Sequence, residues 1–347
     1  MPRSLSRRRF LAQSSCAVAG MVMRPSAFAR RTEADGAVVV FSAPSVRSRY
    51  YAPFFDQLVA FYTGFFERRA ASDTFLILAD RPTASRLRRR IPERRVLTAD
   101  VPDIWARDFA PVQTRAGLFK FRYVPSYLPR RDARHIEEAF EGWLDTVGVR
   151  TEAVDLVVDG GNVCYNSTDS AVLTERVLVE NAHLTRAEIE AMLNDRLGLD
   201  RVCLIPEEPG DTTGHADGMV AWLSPTCLAI ADLEPSLRTA VRQRLERALP
   251  EVEIVAMPHA PSEEQWRGFS DASGIYVNML ATPSALYVPV FDLETDEAAL
   301  ATIEQHTDRA VVPVPVGEVG QMGGSVRCLS WEVTGDIAQR LREAASG

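Results

Sequence analysis

The sequence lacks an apolar run long enough to remain in a bilayer. A spanning helix needs about 20 consecutive apolar residues, and the one mildly apolar stretch near the N-terminus, Phe10 to Met23, is shorter and interrupted. Cysteine is scarce, with five in 347 residues, which excludes a disulfide framework as the basis of the fold. Metal-ligand spacing is missing as well: neither Cys-x-x-Cys nor His-x-x-x-His occurs, and such spacings mark zinc and related centres. His215, Asp217 and Asp211 carry donor atoms, but without that spacing no metal and no other cofactor is expected. Basic charge is in deficit. A formal net charge of -8 argues against a broad nucleic-acid-binding surface and leaves an acidic chain able to attract a cationic ligand.

The N-terminus reads as a leader. Ser6-Arg7-Arg8-Arg9-Phe10-Leu11 is a twin-arginine pattern, and Ala27-Phe28-Ala29 supplies a small-x-small cleavage site. Residues 1–29 are therefore expected to be a signal peptide recognised by the twin-arginine export machinery. Cleavage near Ala29 would leave residues 30–347 as a single catalytic domain in the periplasm or outside the cell.

The remaining chain alternates strand and helix patterns, which argues an α/β fold. Strands are expected at Ala37–Phe41, Thr74–Ala79 and Val96–Ala99, with a helix over Tyr51–Phe66 whose apolar positions recur at helical spacing. The basic stretch Arg86–Arg95 reads as a solvated helical face. Further on, Leu118–Val124, Val154–Val158, Ala171–Thr174, Val202–Ile205, Cys227–Ala231 and Val252–Met257 read as strands. Helices are expected at Ala133–Val147, Arg186–Leu197, Ser236–Leu249 and Asp296–Gln305. Ile275–Leu280 and Ala285–Val290 resemble a strand pair, Ala310–Pro315 a strand, and Ser325–Val333 a closing strand. A strand pair, a helix and a strand thus recur about five times, at roughly 50 to 60 residues each.

Chemistry concentrates in a few loops. Asp211-Thr212-Thr213-Gly214-His215-Ala216-Asp217-Gly218 follows Pro206 and Pro209 and runs into apolar Met219–Trp222. If this segment is extended, His215 and Asp217 project to one face, placing a proton carrier beside a carboxylate. Of the other histidines, His135 and His306 fall in helical patterns among charges, and His183 and His259 in loops. Cys164, Cys203 and Cys227 read as small buried hydrophobes in strands. Cys328 follows the paired glycines Gly323-Gly324 and precedes a strand pattern. By itself it is either a core residue or a nucleophile needing a partner base, for which His215 is the candidate. Asp108 in Trp105-Ala106-Arg107-Asp108, and Asp159 in Asp159-Gly160-Gly161-Asn162, taken singly are turn or cap residues. As a set with Cys328 and His215 they suggest one thiol-dependent site.

These four stretches, Trp105–Asp108 followed by Pro111, Asp159–Asn162, Thr213–Asp217 and Gly323–Cys328, resemble the signatures of the agmatine deiminase and bacterial (Porphyromonas-type) peptidylarginine deiminase family. They occur in the family's order and span nearly all of the processed chain. The resemblance implies a five-bladed α/β propeller of pseudo-fivefold ββαβ units, the fold of guanidine-modifying enzymes. It implies Cys328 as nucleophile, His215 as general acid/base, Asp159 as the residue orienting it, and Asp108 and Asp217 as the guanidinium-binding carboxylates, with Trp105 and Asn278 at the substrate. The implied reaction converts a guanidino group to a ureido group with release of ammonia through a thiouronium intermediate, agmatine to N-carbamoylputrescine being the leading case. The motif at Asp159 has Asp where many agmatine enzymes have Glu, and Phe121–Pro125 lacks their Phe-Asn-x-Trp-Gly run. Peptidyl-arginine is accordingly the alternative substrate. A papain-like hydrolase would need its cysteine at the start of a central helix, and an exported guanidinium-binding protein would have no use for Cys328.

Overall fold

The computed structural model describes residues 36–258, 260, 262 and 264–346. The twin-arginine stretch, the cleavage site at Ala29 and His259 lie outside the described residues.

The first strand, β1 (Val38–Ser42), is apolar up to Ser42 and buried along its whole length, the pattern of a strand covered on both faces. It pairs in parallel with β2 (Thr74–Ala79). Parallel strands need a crossover, supplied by helix Phe55–Arg68, which packs Leu58, Phe61 and Phe65 into one cluster with Phe41 and Phe75. A short strand β3 (Val96–Thr98) extends the sheet. The basic stretch before it faces solvent, although its helix already ends at Leu87.

The same arrangement then recurs with the chain reading hairpin, helix, strand. β4 (Val112–Gln113) and β5 (Leu118–Arg122) pair antiparallel, helix Arg130–Thr146 crosses over, and β6 (Glu152–Val157) returns parallel to β5. β7 (Cys164–Tyr165), β8 (Ser170–Thr174), helix Arg186–Leu197 and β9 (Arg201–Ile205) repeat it. β10 (Val220–Ser224), β11 (Cys227–Ile230), helix Pro235–Ala248 and β12 (Glu253–Ala256) do so again. After a small ribbon of β13 (Gln265–Trp266) and β14 (Phe269–Ser270) comes a further unit. It consists of β15 (Leu280–Ala281), β16 (Ala285–Val290), helix Asp296–Glu304 and β17 (Ala310–Pro315). The last strand, β18 (Ser330–Val333), pairs antiparallel with β1. It supplies the hairpin partner that the N-terminal unit lacks, so the two ends of the described chain complete one sheet. Among the described residues the strands form five separate open sheets of three or four strands, plus the ribbon.

Several expectations need correction. His215 and Asp217 do not share a strand face: His215 is extended but caps a single 3-10 turn, Ala216–Gly218, and the strand begins only at Val220. Ile275–Leu280 is mostly irregular, with a turn at Tyr276 and Val277 and strand confined to Leu280–Ala281. Gly274 adopts a φ of +83° there, and a Cβ would stand 2.4 Å from the Ala260 carbonyl oxygen, so the chain bends too tightly for a ladder. The closing strand likewise starts at Ser330, because the backbone of 326–329 is a turn. His306 lies in a turn just past its helix. A C-terminal helix, Gly335–Ala344, follows β18 and buries Ala338 and Leu341, an element absent from the expected set although its apolar residues recur at helical spacing.

Candidate active site

The segments carrying the singled-out residues all occupy one topological place, immediately before the hairpin strand of a unit. Asp108 precedes β4, Asp159 precedes β7, His215 and Asp217 precede β10, Asn278 precedes β15, and Cys328 precedes β18. Hydrogen bonds between segments then set their spacing. The Arg107 amide donates to the Cys328 carbonyl at 3.2 Å, the Arg107 guanidinium pairs with Glu332, and the Trp331 indole donates to the Pro111 carbonyl at 2.7 Å. The Asn162 side-chain oxygen accepts from the amides of Thr174 (2.8 Å) and Ala216 (3.2 Å). The Asn278 side-chain oxygen accepts from the amides of Ser325 (3.1 Å) and Cys328 (3.3 Å).

The glycines of the motifs are spacers. A Cβ on Gly160 would lie 2.1 Å from the Arg107 carbonyl oxygen, and one on Gly161 would lie 2.6 Å from His215 Nδ1 and 2.7 Å from Asp108 Oδ1. At Gly324 a Cβ would lie 2.7 Å from the Trp105 ring and 3.1 Å from Cys328 Sγ. Glycine is what lets these three strips of chain approach one another.

The assembled side chains line a cavity of about 940 Å3 that contains Trp105, Asp108, His215, Asp217, Asn278 and Cys328 on its wall. Asp108, Asp159, His215, Asp217 and Asn278 are buried, and Cys328 is partly exposed. His215 Nε2 lies 3.2 Å from Asp159 Oδ2, and its Nδ1 lies 3.6 Å from Asp108 Oδ1. Cys328 Sγ stands 3.8 and 3.9 Å from the two oxygens of Asp217 and receives a hydrogen bond from the Asn278 amide nitrogen at 3.0 Å. Arg327 Nε approaches Asp217 at 3.7 Å, and its Nη2 donates to the Val163 carbonyl at 2.7 Å.

Charge in this pocket is unbalanced. Burial alone would push the His215 imidazole down, but Asp108, Asp159 and Asp217 outweigh it and hold the ring protonated above its ordinary range. Burial raises the Asp108 carboxyl, and the charges of Asp159 and Asp217 add to this against the opposing imidazolium. The Cys328 thiol is raised well above its usual value by burial first, then by Asp217 and Asp108. One oxygen of Asp108 and one of Asp159 are buried without a hydrogen-bond donor, a costly state. Asp108 and Asp217 line the cavity and Asp159 does not, so a planar cation entering there would meet the first two carboxylates and bring them donors and positive charge together. No group of three or more His, Cys, Asp or Glu among the described residues has the geometry of a metal site.

Some contributors carried no local signal in the sequence. Tyr127, in a loop between Pro125 and Pro129, donates its hydroxyl to Asp159 Oδ2 at 2.9 Å. The roles of Asn162, Arg107 and Arg327 as ties between segments depend on partners distant in the chain.

One wall thus carries a thiol, an imidazole and two carboxylates, the groups that nucleophilic attack on the carbon of a flat cation requires. The sequence profile of the Porphyromonas-type peptidyl-arginine deiminases matches residues 33–333, and the chain belongs to that family. It is 26% identical over 296 residues to the agmatine deiminase of Ectopseudomonas mendocina, covering 68% of this chain and 76% of that protein. In fold it matches the agmatine deiminase of C. jejuni, with a TM-score of 0.73 at 17% identity over 87% of this chain and 94% of that one. The agmatine deiminase of Enterococcus faecalis superposes with a TM-score of 0.71 at 18% identity, covering 87% and 94%.

Proposed function

We propose that the protein is a guanidine deiminase that releases ammonia from agmatine or a close guanidino amine. The observation that carries this reading is the placement of Asp108 and Asp217 in the same cavity wall as Cys328, with a buried Asp108 oxygen left without a donor. Two carboxylates suit the edges of a guanidinium through charge-assisted hydrogen bonds, and they hold its carbon near the sulfur. The Cys328 thiol is held neutral first by burial and then by those same carboxylates, which oppose a thiolate. A bound cation cancels their charge, so binding lowers the thiol's proton affinity at the moment the sulfur is needed.

Cation binding lets the thiol proton leave to solvent, and attack by the Cys328 thiolate forms the carbon–sulfur bond. The carbon–nitrogen bond then breaks, and ammonia departs carrying a proton delivered through His215. Water, losing a proton to His215, adds to the thiouronium carbon, and the thiol leaves to give the ureido product. Asp159 orients the ring throughout. Agmatine as substrate is supported by the relatives named agmatine deiminase, among them a C. jejuni Cys-to-Ser variant solved with substrate bound. The family description and a cavity of about 940 Å3, near the upper end for small-molecule sites, favour peptidyl-arginine as the second reading. Five recurring units, four with their pre-hairpin segment on the wall of one cavity and the Asp159 segment packed against His215 behind it, support a five-bladed propeller arrangement. The twin-arginine stretch supports export and removal of residues 1–29.

The test is incubation of the purified processed protein with agmatine, arginine and an arginine-containing peptide, with ammonia and ureido product measured. Production of both from a guanidino substrate by the native protein, and from none by Cys328→Ala, is expected. Unchanged turnover in Cys328→Ala would overturn the assignment.

A further inference from the structure

Asp159 and its neighbours offer a point of control over the imidazole. Both donors that reach Asp159 among the described residues meet the same oxygen: Tyr127 OH at 2.9 Å and His215 Nε2 at 3.2 Å from Oδ2. The other oxygen, Oδ1, is buried without a hydrogen-bond partner. The Tyr127 hydroxyl is a donor here, since burial and the Asp159 charge hold its own proton far above the usual phenol range. Its ring sits edge-on to the His215 ring, with centroids 6.5 Å apart, and edge-on to Phe269 of the β13–β14 ribbon at 5.7 Å.

We propose that Tyr127 is a positioning residue that sets the proton affinity of His215 by sharing the one engaged oxygen of Asp159. This rests on the deiminase reading, in which His215 must give a proton to ammonia and then take one from water. A carboxylate oxygen shared between phenol and imidazolium presents less charge to the ring than one bound to the ring alone. The site already holds His215 protonated through three carboxylates, so the water-activating step is the one that suffers if the ring becomes more basic. Tyr127 moderates that excess. Loss of the hydroxyl leaves His215 as the sole donor to Asp159, and the pair retains its proton to higher pH.

The experiment compares Tyr127→Phe with the native protein across pH. The acidic limb of kcat, which reports the neutral imidazole needed for hydrolysis, is expected to move alkaline by about one unit. At fixed pH on that limb this is roughly a tenfold loss, recovered at higher pH. KM falls together with kcat because the thiouronium adduct accumulates, and the adduct is seen in mass spectra of quenched reactions. NMR titration of the His215 imidazole in the unliganded proteins reads the same upward shift without any turnover. This separates failure of the proposal from failure of the deiminase reading. An unmoved limb and an unmoved imidazole titration overturn it. A uniform fall in kcat at every pH with no shift, or lost secondary structure by circular dichroism with a native titration in Tyr127→His, assigns Tyr127 to packing alone and overturns it equally.

Discussion

Gly161→Ala adds one methyl group at the tightest point of the site. Gly161 is not in the left-handed region, so alanine meets no backbone penalty and the effect is steric. The added carbon would lie 2.6 Å from His215 Nδ1, 2.7 Å from Asp108 Oδ1 and 3.2 Å from His215 Cε1. Comfortable contact between such atoms begins near ~3.5 Å, so ring and carboxylate must retreat by roughly 1 Å. Overpacking of this kind costs about 1–3 kcal/mol of stability, which a domain of ordinary stability survives. The same displacement of a group that transfers protons costs about a hundredfold in rate. The variant should therefore fold, melt a few degrees lower, and lose about two orders of magnitude in kcat. Gly142→Ala, on helix Arg130–Thr146 and off the cavity wall, is the control, because a Cβ there meets nothing within 4 Å; it should keep near-native turnover. Ammonia release and a thermal melt read both quantities on both variants. Native turnover by Gly161→Ala, or equal losses in the two variants, would refute the steric argument.

Asp217→Asn removes the carboxylate 3.8 Å from the Cys328 sulfur and with it a cause of the raised thiol affinity. Alkylation of Cys328 by iodoacetamide at fixed mildly alkaline pH should speed up while turnover is lost; slower alkylation would contradict the electrostatic account. Asp108→Asn should act mainly through KM, raising it strongly, because it deletes a charge that grips the cation; an unchanged KM would remove Asp108 from binding. The stability of the unliganded protein should fall as pH rises from the ordinary histidine value of 6.5. His215 is raised in the folded state, so it binds a proton that the unfolded chain releases; its stabilisation is fully present below 6.5 and is lost progressively as pH rises from there to about 10. Chemical denaturation at several pH values checks this. His215→Gln should flatten the slope, and a native slope in that variant would assign the pH dependence elsewhere.

Local pattern carried much of the architecture. The apolar runs of β1, β2 and β16 read as strands, and helix Arg186–Leu197 is found at its expected bounds, where the structure shows a Thr185 capping box at its start. Elements that failed to show were those whose form is imposed by distant partners. The 275–278 turn is held where the Asn278 side chain engages the loop of Ser325 and Cys328. The 3-10 turn at Ala216–Gly218 is held by Asn162, whose oxygen accepts from Ala216. An extended reading for His215 and Asp217 was the natural one from alternation alone, and the tertiary hydrogen bond displaced it.

By itself the amino-acid order determined which residue types were on hand: a cysteine beside paired glycines, a histidine in a glycine-marked loop, carboxylates in two more, and a strand–helix rhythm to carry them. It also determined where glycine would permit close approach. Tertiary structure alone decided that these loops converge on His215 and one cavity, that Asp217 rather than another acid abuts the sulfur, and that Tyr127 shares Asp159 with the imidazole. Chain order encodes local backbone preference, whereas proton affinities depend on charges and burial a few ångströms away, and those neighbours come from segments that only folding brings together.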